Sequence, residues 1–189
     1  VATHWMPKII RAFQNDYPGI QYELLLGDYS EIENWIADGR VECGFLRLPT
    51  RSDFETISLQ RDELMLVLPK GHPLAAQDRI APEALNGQPF MLLEHGGKTE
   101  VSEFLELHQV KPSVRFSTWD DYAILSTVES GLGMGILPRL ILQRIPYKVE
   151  IRPFTEPFYR EIGLALPGRK NVSTAVKRFV SYLHYRNSN

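Results

Sequence analysis

Cysteine is almost absent from this chain: Cys43 is the only one in 189 residues. One thiol closes no intramolecular disulfide, so the fold holds by burial alone, as in a reducing compartment or a disulfide-free fold. Cys43 sits in an apolar, strand-like run and reads as a structural thiol rather than a nucleophile. Long apolar runs are missing as well. The longest, such as Leu64 to Leu68, are strand-sized and far short of the roughly 18 residues that a bilayer-spanning helix needs. No charged-then-apolar leader opens the sequence at Val1, so no signal peptide is read and a cytoplasmic location is expected.

A surplus of one charge is also lacking, with 21 Lys and Arg against 23 Asp and Glu. Domains that grip phosphate backbones gather a basic excess on one face. Direct contact of this chain with DNA is therefore not expected. Nor is a catalytic signature found: there is no Gly-x-Ser-x-Gly elbow, Walker-type phosphate loop or His-Glu-x-x-His, and the five histidines lack metal-ligand spacing. The sequence is read as a non-enzyme with no metal and no cofactor. Its 43% of hydrophobic residues supply a core and exclude a disordered chain.

The periodicities predict alternating helices and strands. Met6 to Phe13 carries apolar residues at helical spacing with Pro7 in the first turn, and Tyr17-Pro18-Gly19 stops it. Gln21 to Gly27 alternates loosely and predicts a strand. Asp28 or Ser30 caps a second helix running to Gly39, and Val41 to Leu46 predicts a buried parallel strand. Two further strands are expected at Glu55 to Gln60 and Glu63 to Leu68. A second block follows: strand Phe90 to Leu93, helix Thr99 to His108, strand Val114 to Phe116, and a helix capped by Thr118 or Asp120. A strand at Ile162 to Pro167 and a helix at Thr174 to Tyr185 close the chain. Helices alternating with strands predict parallel pairing. Gly131-Leu132-Gly133-Met134-Gly135 spaces its glycines for a tight helix-to-strand corner.

Four segments in order carry a resemblance: His4-Trp5-Met6-Pro7 with Tyr17-Pro18-Gly19-Ile20, Ala37 to Phe45, Leu66 to Ala75, and Gly131 to Pro138. Together they look like the effector-binding domain of LysR-type transcriptional regulators. The resemblance implies an α/β fold of two Rossmann-like lobes joined by two crossing strands, periplasmic binding protein-like of type 2. Lobe I would hold residues 1–67 plus 162–189, and lobe II residues 68–161. It further implies a small-molecule effector bound in the interlobe cleft, a homodimer that becomes a tetramer in the full-length protein, and DNA contact only through an N-terminal winged helix-turn-helix. That head and a first strand of lobe I would precede Val1. Pairing is expected through Glu31, Glu33, Asn34 and Trp35 on the second helix. The alternative reading is a stand-alone solute-binding protein of the same fold.

In open α/β sheets ligands gather beyond the carboxyl ends of strands, where helix starts offer free N–H groups to anions. Three such edges are candidates: Thr3 and His4, Asp28 and Tyr29, and His95-Gly96-Gly97-Lys98-Thr99. At the first and third, contact and ordinary capping or turn formation stand about level; at the second, capping alone is favoured. Arg47 follows its strand, with a planar donor fork suited to a carboxylate; a surface pairing with Asp53 or Glu55 is its alternative. Family members with carboxylate effectors place an Arg at the matching position. Thr118, Trp119 and Asp120 form the opposite lip, Trp119 as an aromatic wall or as core or hinge packing. The cluster of Arg47, His95 and Lys98 points to a small anionic guest.

Overall fold

The computed structural model describes residues 1–94, 98–168 and 172–187. In chain order the elements are α1 (Met6–Asp16), α2 (Tyr29–Ala37), β1 (Gly44–Leu48), β2 (Phe54–Pro69), β3 (Pro89–Leu93), α3 (Glu100–Leu107), β4 (Ser113–Thr118), α4 (Asp121–Glu129), β5 (Met134–Pro138), β6 (Val149–Pro153), β7 (Tyr159–Pro167) and α5 (Thr174–Val180). The chain divides into two units. Unit 1 comprises Val1–Arg61 and Glu161–Asn189, and unit 2 comprises Asp62–Arg160.

Unit 1 packs helices against β1 and β7. Met6, Ile9 and Phe13 are the buried stripe of α1, at the spacing one helix face requires. Val176, Phe179 and Leu183 answer from the C-terminal segment, and the Phe13 and Phe179 rings meet edge to face at 5.6 Å. The helix expected to reach Tyr185 ends at Val180 and resumes as a 3-10 turn over Leu183–Asn187. β1 pairs with β7 antiparallel, Arg47 opposite Ile162, which corrects the parallel pairing expected there. Apolar content marks a strand as buried, but its direction depends on which distant segment becomes its partner.

Two more expectations in this half are corrected. Residues 21–27 form no strand: Leu24 and Leu26 are exposed, and among the described residues no strand pairs with this segment. The two strands foreseen at Glu55 to Leu68 are one, the long β2. The polar stretch Arg61-Asp62 looked like a break. Asp62 instead stays in the strand because its Oδ1 accepts the Leu140 N–H at 2.9 Å and its Oδ2 faces Arg160, so a buried carboxylate is satisfied without a turn.

Unit 2 is the larger core. β2 alternates with period 2: Leu64, Leu66 and Leu68 join Phe90, Phe104, Ile136 and Phe154 on one side, while Met65 and Val67 join Met91, Ile124, Leu125, Val128 and Leu137 on the other. Each such side chain contributes roughly 1.5–3 kcal/mol when fully buried. β3 runs parallel to both β4 and β5, as the second block predicted, and β2 runs antiparallel to β5 and β6. The glycine corner after α4 is a packing device. Gly131 has φ of +77°, and a Cβ on Gly133 would lie 2.6 Å from the Pro89 carbonyl oxygen.

Candidate functional site

In unit 2 the parallel strands β3 and β4 end together, Leu93 opposite Thr118, and the Glu94 N–H donates to the Thr118 carbonyl at 2.9 Å. A helix starts just beyond each end. Thr99 caps α3, its Oγ1 accepting the Ser102 N–H at 3.2 Å and donating to the Leu93 carbonyl at 3.3 Å. Asp120 caps α4 through the Tyr122 N–H at 2.8 Å, and Thr118 Oγ1 accepts the Asp120 N–H at 3.2 Å. The fold thus brings Thr99, Thr118 and Asp120 to one strand-end edge. All three support helix starts or the turn into one. Trp119 stands at 72% exposure beside them, which sets aside the core-packing alternative. His95, Gly96 and Gly97 lie outside the described residues.

Lys98 has a different partner from the one its position suggested. Its Nζ bonds Glu106 Oε2 at 2.9 Å on the open surface of α3, and that hydrogen bond holds its ammonium pKa above the usual lysine range. The lysine charge is drawn along the helix, away from the helix start.

The charged groups that the fold collects near this edge were missed by sequence reasoning. Arg160 donates from Nε and Nη2 to Asp62 Oδ2 at 3.0 and 2.9 Å, and its Nη1 is 3.5 Å from Glu100 Oε1. Asp62 and Glu100 are both buried. Glu100 and Asp121 are the first residues of α3 and α4. Burial pushes the Asp121 carboxyl up to about 6, Arg160 opposes the rise, and Asp120 and Glu100 add to it. A sequence signal existed in the acidic residues following two caps, but helix starts favour acids everywhere, so it did not single these out.

In unit 1, Arg47 lies inside β1 rather than after its end, because β7 pairs with the strand through Leu48. By strand alternation Arg47 shares a face with Phe45, and the Phe45 ring meets Trp5 at 6.2 Å. The face bearing Arg47 is therefore the one next to the start of α1. There Thr3 is exposed and His4 buried in a turn, and α1 begins at an N-cap, Trp5, that makes no side-chain cap bond. Thr3 and His4 are not caps. Asp28 is one: its Oδ1 accepts the Glu31 N–H at 2.7 Å while Glu31 Oε2 accepts the Asp28 N–H at 2.9 Å, and Tyr29 packs on the Ile36, Leu46 and Ala165 cluster. Cys43 is partly buried, and burial followed by Glu42 pushes its thiol up to about 11, so it is not a poised thiolate.

The face of α2 expected to pair with a second copy is only partly open. Ile36 is buried at 1%, because it packs on Leu46. Glu31 is held in the capping box, Glu33 accepts the Thr50 hydroxyl, and the Arg40 guanidinium lies 5.0 Å from the Trp35 ring centroid. A wider apolar surface, unforeseen in the sequence, lies on unit 2. β4 is an edge strand with Val114 and Phe116 exposed beside Leu132. Next to it a cavity of about 630 Å³ is lined by Pro89, Met91, Arg115, Phe116, Thr127 and Leu132.

Comparison with known proteins places this fold. The family model for the LysR substrate binding domain matches residues 1–187. The chain is 26% identical over 181 residues to the HTH-type transcriptional regulator YvbU of Bacillus subtilis (strain 168), covering 95% of this chain and 62% of that protein. It is 30% identical over 167 residues to the probable HTH-type transcriptional regulator LrrA of Synechococcus elongatus, covering 87% and 56%. The chain thus spans less than two thirds of the length of these relatives. Among solved structures, the Synechocystis PCC6803 CcmR regulatory domain in complex with 2-PG matches with a TM-score of 0.89 at 24% identity, over 100% of this chain and 93% of that one. The fold is the periplasmic binding protein-like, type 2 fold of LysR effector-binding domains, and the stand-alone solute-binding alternative is set aside, since the relatives are HTH-type regulators. This chain belongs to the LysR substrate binding domain family of transcriptional regulators.

Proposed function

We propose that this domain senses a small-molecule effector and, within the full-length regulator, changes how a DNA-binding head meets its operator. The observation that carries the reading is the family match over residues 1–187. It includes no catalytic step, since the relatives are transcriptional regulators. It places the protein in the cytoplasm, where DNA is; among the described residues no helix is long and apolar enough to cross a membrane.

The effector carries an acid group, and Arg47 receives it. Unit 2 offers carboxylates at its strand-end edge, Glu100, Asp120 and Asp121, with Arg160 already bonded to Asp62, and Lys98 is turned to Glu106. In this reading a carboxylate guest is met in unit 1, on the strand face shared by Phe45 and Arg47, whose planar donor fork suits it. Thr3 and His4 at the head of α1 are the other unit 1 contacts in this reading.

The regulator works as a homodimer of these domains, tetrameric in the full-length protein. Asn34 and Trp35 on α2 remain the contacts proposed in unit 1, with Glu31 and Glu33 flanking them.

A thermal-shift screen of metabolites tests the sensing role. A ligand at 100 times its dissociation constant stabilises the fold by about 2.7 kcal/mol. Small carboxylic acids are expected to raise the melting temperature of this domain. A panel in which only neutral molecules did so would overturn the acid-group assignment, and a broad panel with no shift at all would count against the sensor.

A further inference from the structure

We propose that the cavity between β2, β6 and the 3-10 turn Ile141–Arg144 is a small-molecule site of unit 2 in its own right, and that it takes a short branched aliphatic carboxylate. The cavity measures about 250 Å³ and is lined by Met65, Arg139, Leu142, Gln143 and Ile151, all of unit 2. Met65 on β2, Ile151 on β6 and Leu142 on the turn belong to one apolar cluster. Met65 and Leu142 are 3% and 8% exposed, so they form its floor, while Arg139 and Gln143 are exposed and stand at its mouth. The turn is held in place by backbone bonds, since the Arg139 N–H donates to the Glu63 carbonyl at 2.7 Å and the Leu142 N–H to the Arg139 carbonyl at 3.0 Å. The cavity is therefore built into the end of β5.

The polar end of the guest follows from Arg139. Its Nη2 donates to Glu63 Oε2 at 2.8 Å, which anchors the guanidinium at the rim. Among the described residues its Nε and Nη1 make no hydrogen bond, nor does the Gln143 side chain. A guanidinium has more donors than one carboxylate oxygen uses, so a second acid can share it. Arg160 in the same unit already faces two carboxylates, Asp62 and Glu100. The apolar end follows from the lining. Its volume falls just below the roughly 300–1,000 Å³ of drug-sized sites, which limits the guest to a small molecule. Among the described residues no aromatic side chain lines it, and Met65, Leu142 and Ile151 suit a branched chain. This site does not rest on the sensing role proposed above, whose Arg47 contact belongs to unit 1.

The test is methyl NMR of the Met, Leu and Ile side chains in the 189-residue chain, titrated with isocaproate and with isocaproamide, which has the same body and a neutral head. Isocaproate is expected to move the Met65, Leu142 and Ile151 methyls together along one saturating curve. Isocaproamide is expected to bind the unmodified protein at least about tenfold more weakly, as loss of a charge-assisted hydrogen bond requires. Arg139→Gln, an exposed substitution, is expected to weaken isocaproate by a similar factor while keeping the folded spectrum. Arg47→Ala is expected to leave the isocaproate shifts in place. The proposal is overturned if the three methyls do not move, if acid and amide bind equally, if Arg139→Gln binds isocaproate as the unmodified protein does, or if Arg47→Ala abolishes the shifts, which would assign them to the unit 1 contact.

Discussion

The Arg160 guanidinium closes on one carboxylate oxygen of Asp62 from two nitrogens, at 3.0 and 2.9 Å, across 98 residues of sequence. These are the last and first residues of unit 2, so the pair ties the strand that enters the unit to the strand that leaves it. Asp62 is 1% exposed. Removing one member of a buried ion pair strands the other's charge and costs about 3–5 kcal/mol, whereas replacing both with apolar residues is often neutral. Arg160→Leu is therefore expected to lower unfolding stability by that amount in urea denaturation, and Asp62→Leu with Arg160→Leu to recover only the part owed to the stranded Asp62, since buried Glu100 and the Leu140 N–H lose their partners too. A single variant losing under about 1 kcal/mol would show that the pair is not what holds these strands together.

The pH dependence of Asp121 has a definite sign. Its folded pKa, about 6, lies above the ordinary 3.8, so its contribution to stability is complete below about 3.8 and is lost as pH rises through about 6. Asp121→Asn imitates the protonated form at every pH. The variant is expected to melt above the unmodified protein at pH 7.5 and level with it near pH 3. At about 1.4 kcal/mol per unit, the gap at high pH is on the order of 1–3 kcal/mol. A constant difference across the range would refute the sign.

Gly133 leaves no room for a side chain, since a Cβ there would meet the Pro89 carbonyl at 2.6 Å and the Met91 methyl at 2.8 Å. The methyl can move and the backbone carbonyl cannot. Gly133→Ala is expected to destabilise the fold by about 1–3 kcal/mol, as overpacking does, measured by thermal or denaturant unfolding. Gly19→Ala, where a Cβ meets nothing within 4 Å, is the control expected to be near neutral.

Arg47→Ala is expected to abolish the thermal shift given by an acidic effector, measured against the melting temperature of the variant's own free domain. Arg47→Lys keeps the charge but loses the planar fork, so it restores only part of the shift. An unchanged shift in Arg47→Ala would remove this residue from the site.

Self-association distinguishes two surfaces. Val114, Phe116 and Leu132 are exposed together on unit 2, and an open strand edge with apolar side chains invites a partner. Trp35→Ala is expected to raise the dimer dissociation constant at least tenfold in sedimentation, and Phe116→Glu to do so only if the unit 2 face also carries the contact. Equal dimerisation in all three proteins would exclude both faces.

Local periodicity made most of the fold legible. Helical stripes such as Met6, Ile9 and Phe13, caps such as Asp28 and Asp120, and the glycine corner at Gly131 to Gly135 are set by residues within a few positions of one another, and each was found where the spacing placed it. Where a strand's state depended on a distant partner, the same signals failed. Gln21 to Gly27 alternates but pairs with nothing described, β1 runs against β7, and β2 continues through Asp62. The candidate residues divide in the same way. Thr99, Thr118 and Asp120 meet at one edge because parallel strands followed by helices force that arrangement.

From the order of its residues alone this chain was committed to a disulfide-free α/β fold of alternating helices and strands and to a recognisable family, because burial patterns and turn chemistry act locally. Tertiary structure decided which charges face one another. Lys98 turned to Glu106, Arg47 was drawn into a paired strand, and Arg160 met Asp62 and Glu100 from the far end of unit 2. Electrostatic energy depends on distance and burial in space, and residues that lie 98 positions apart in the chain are neighbours only once it has folded.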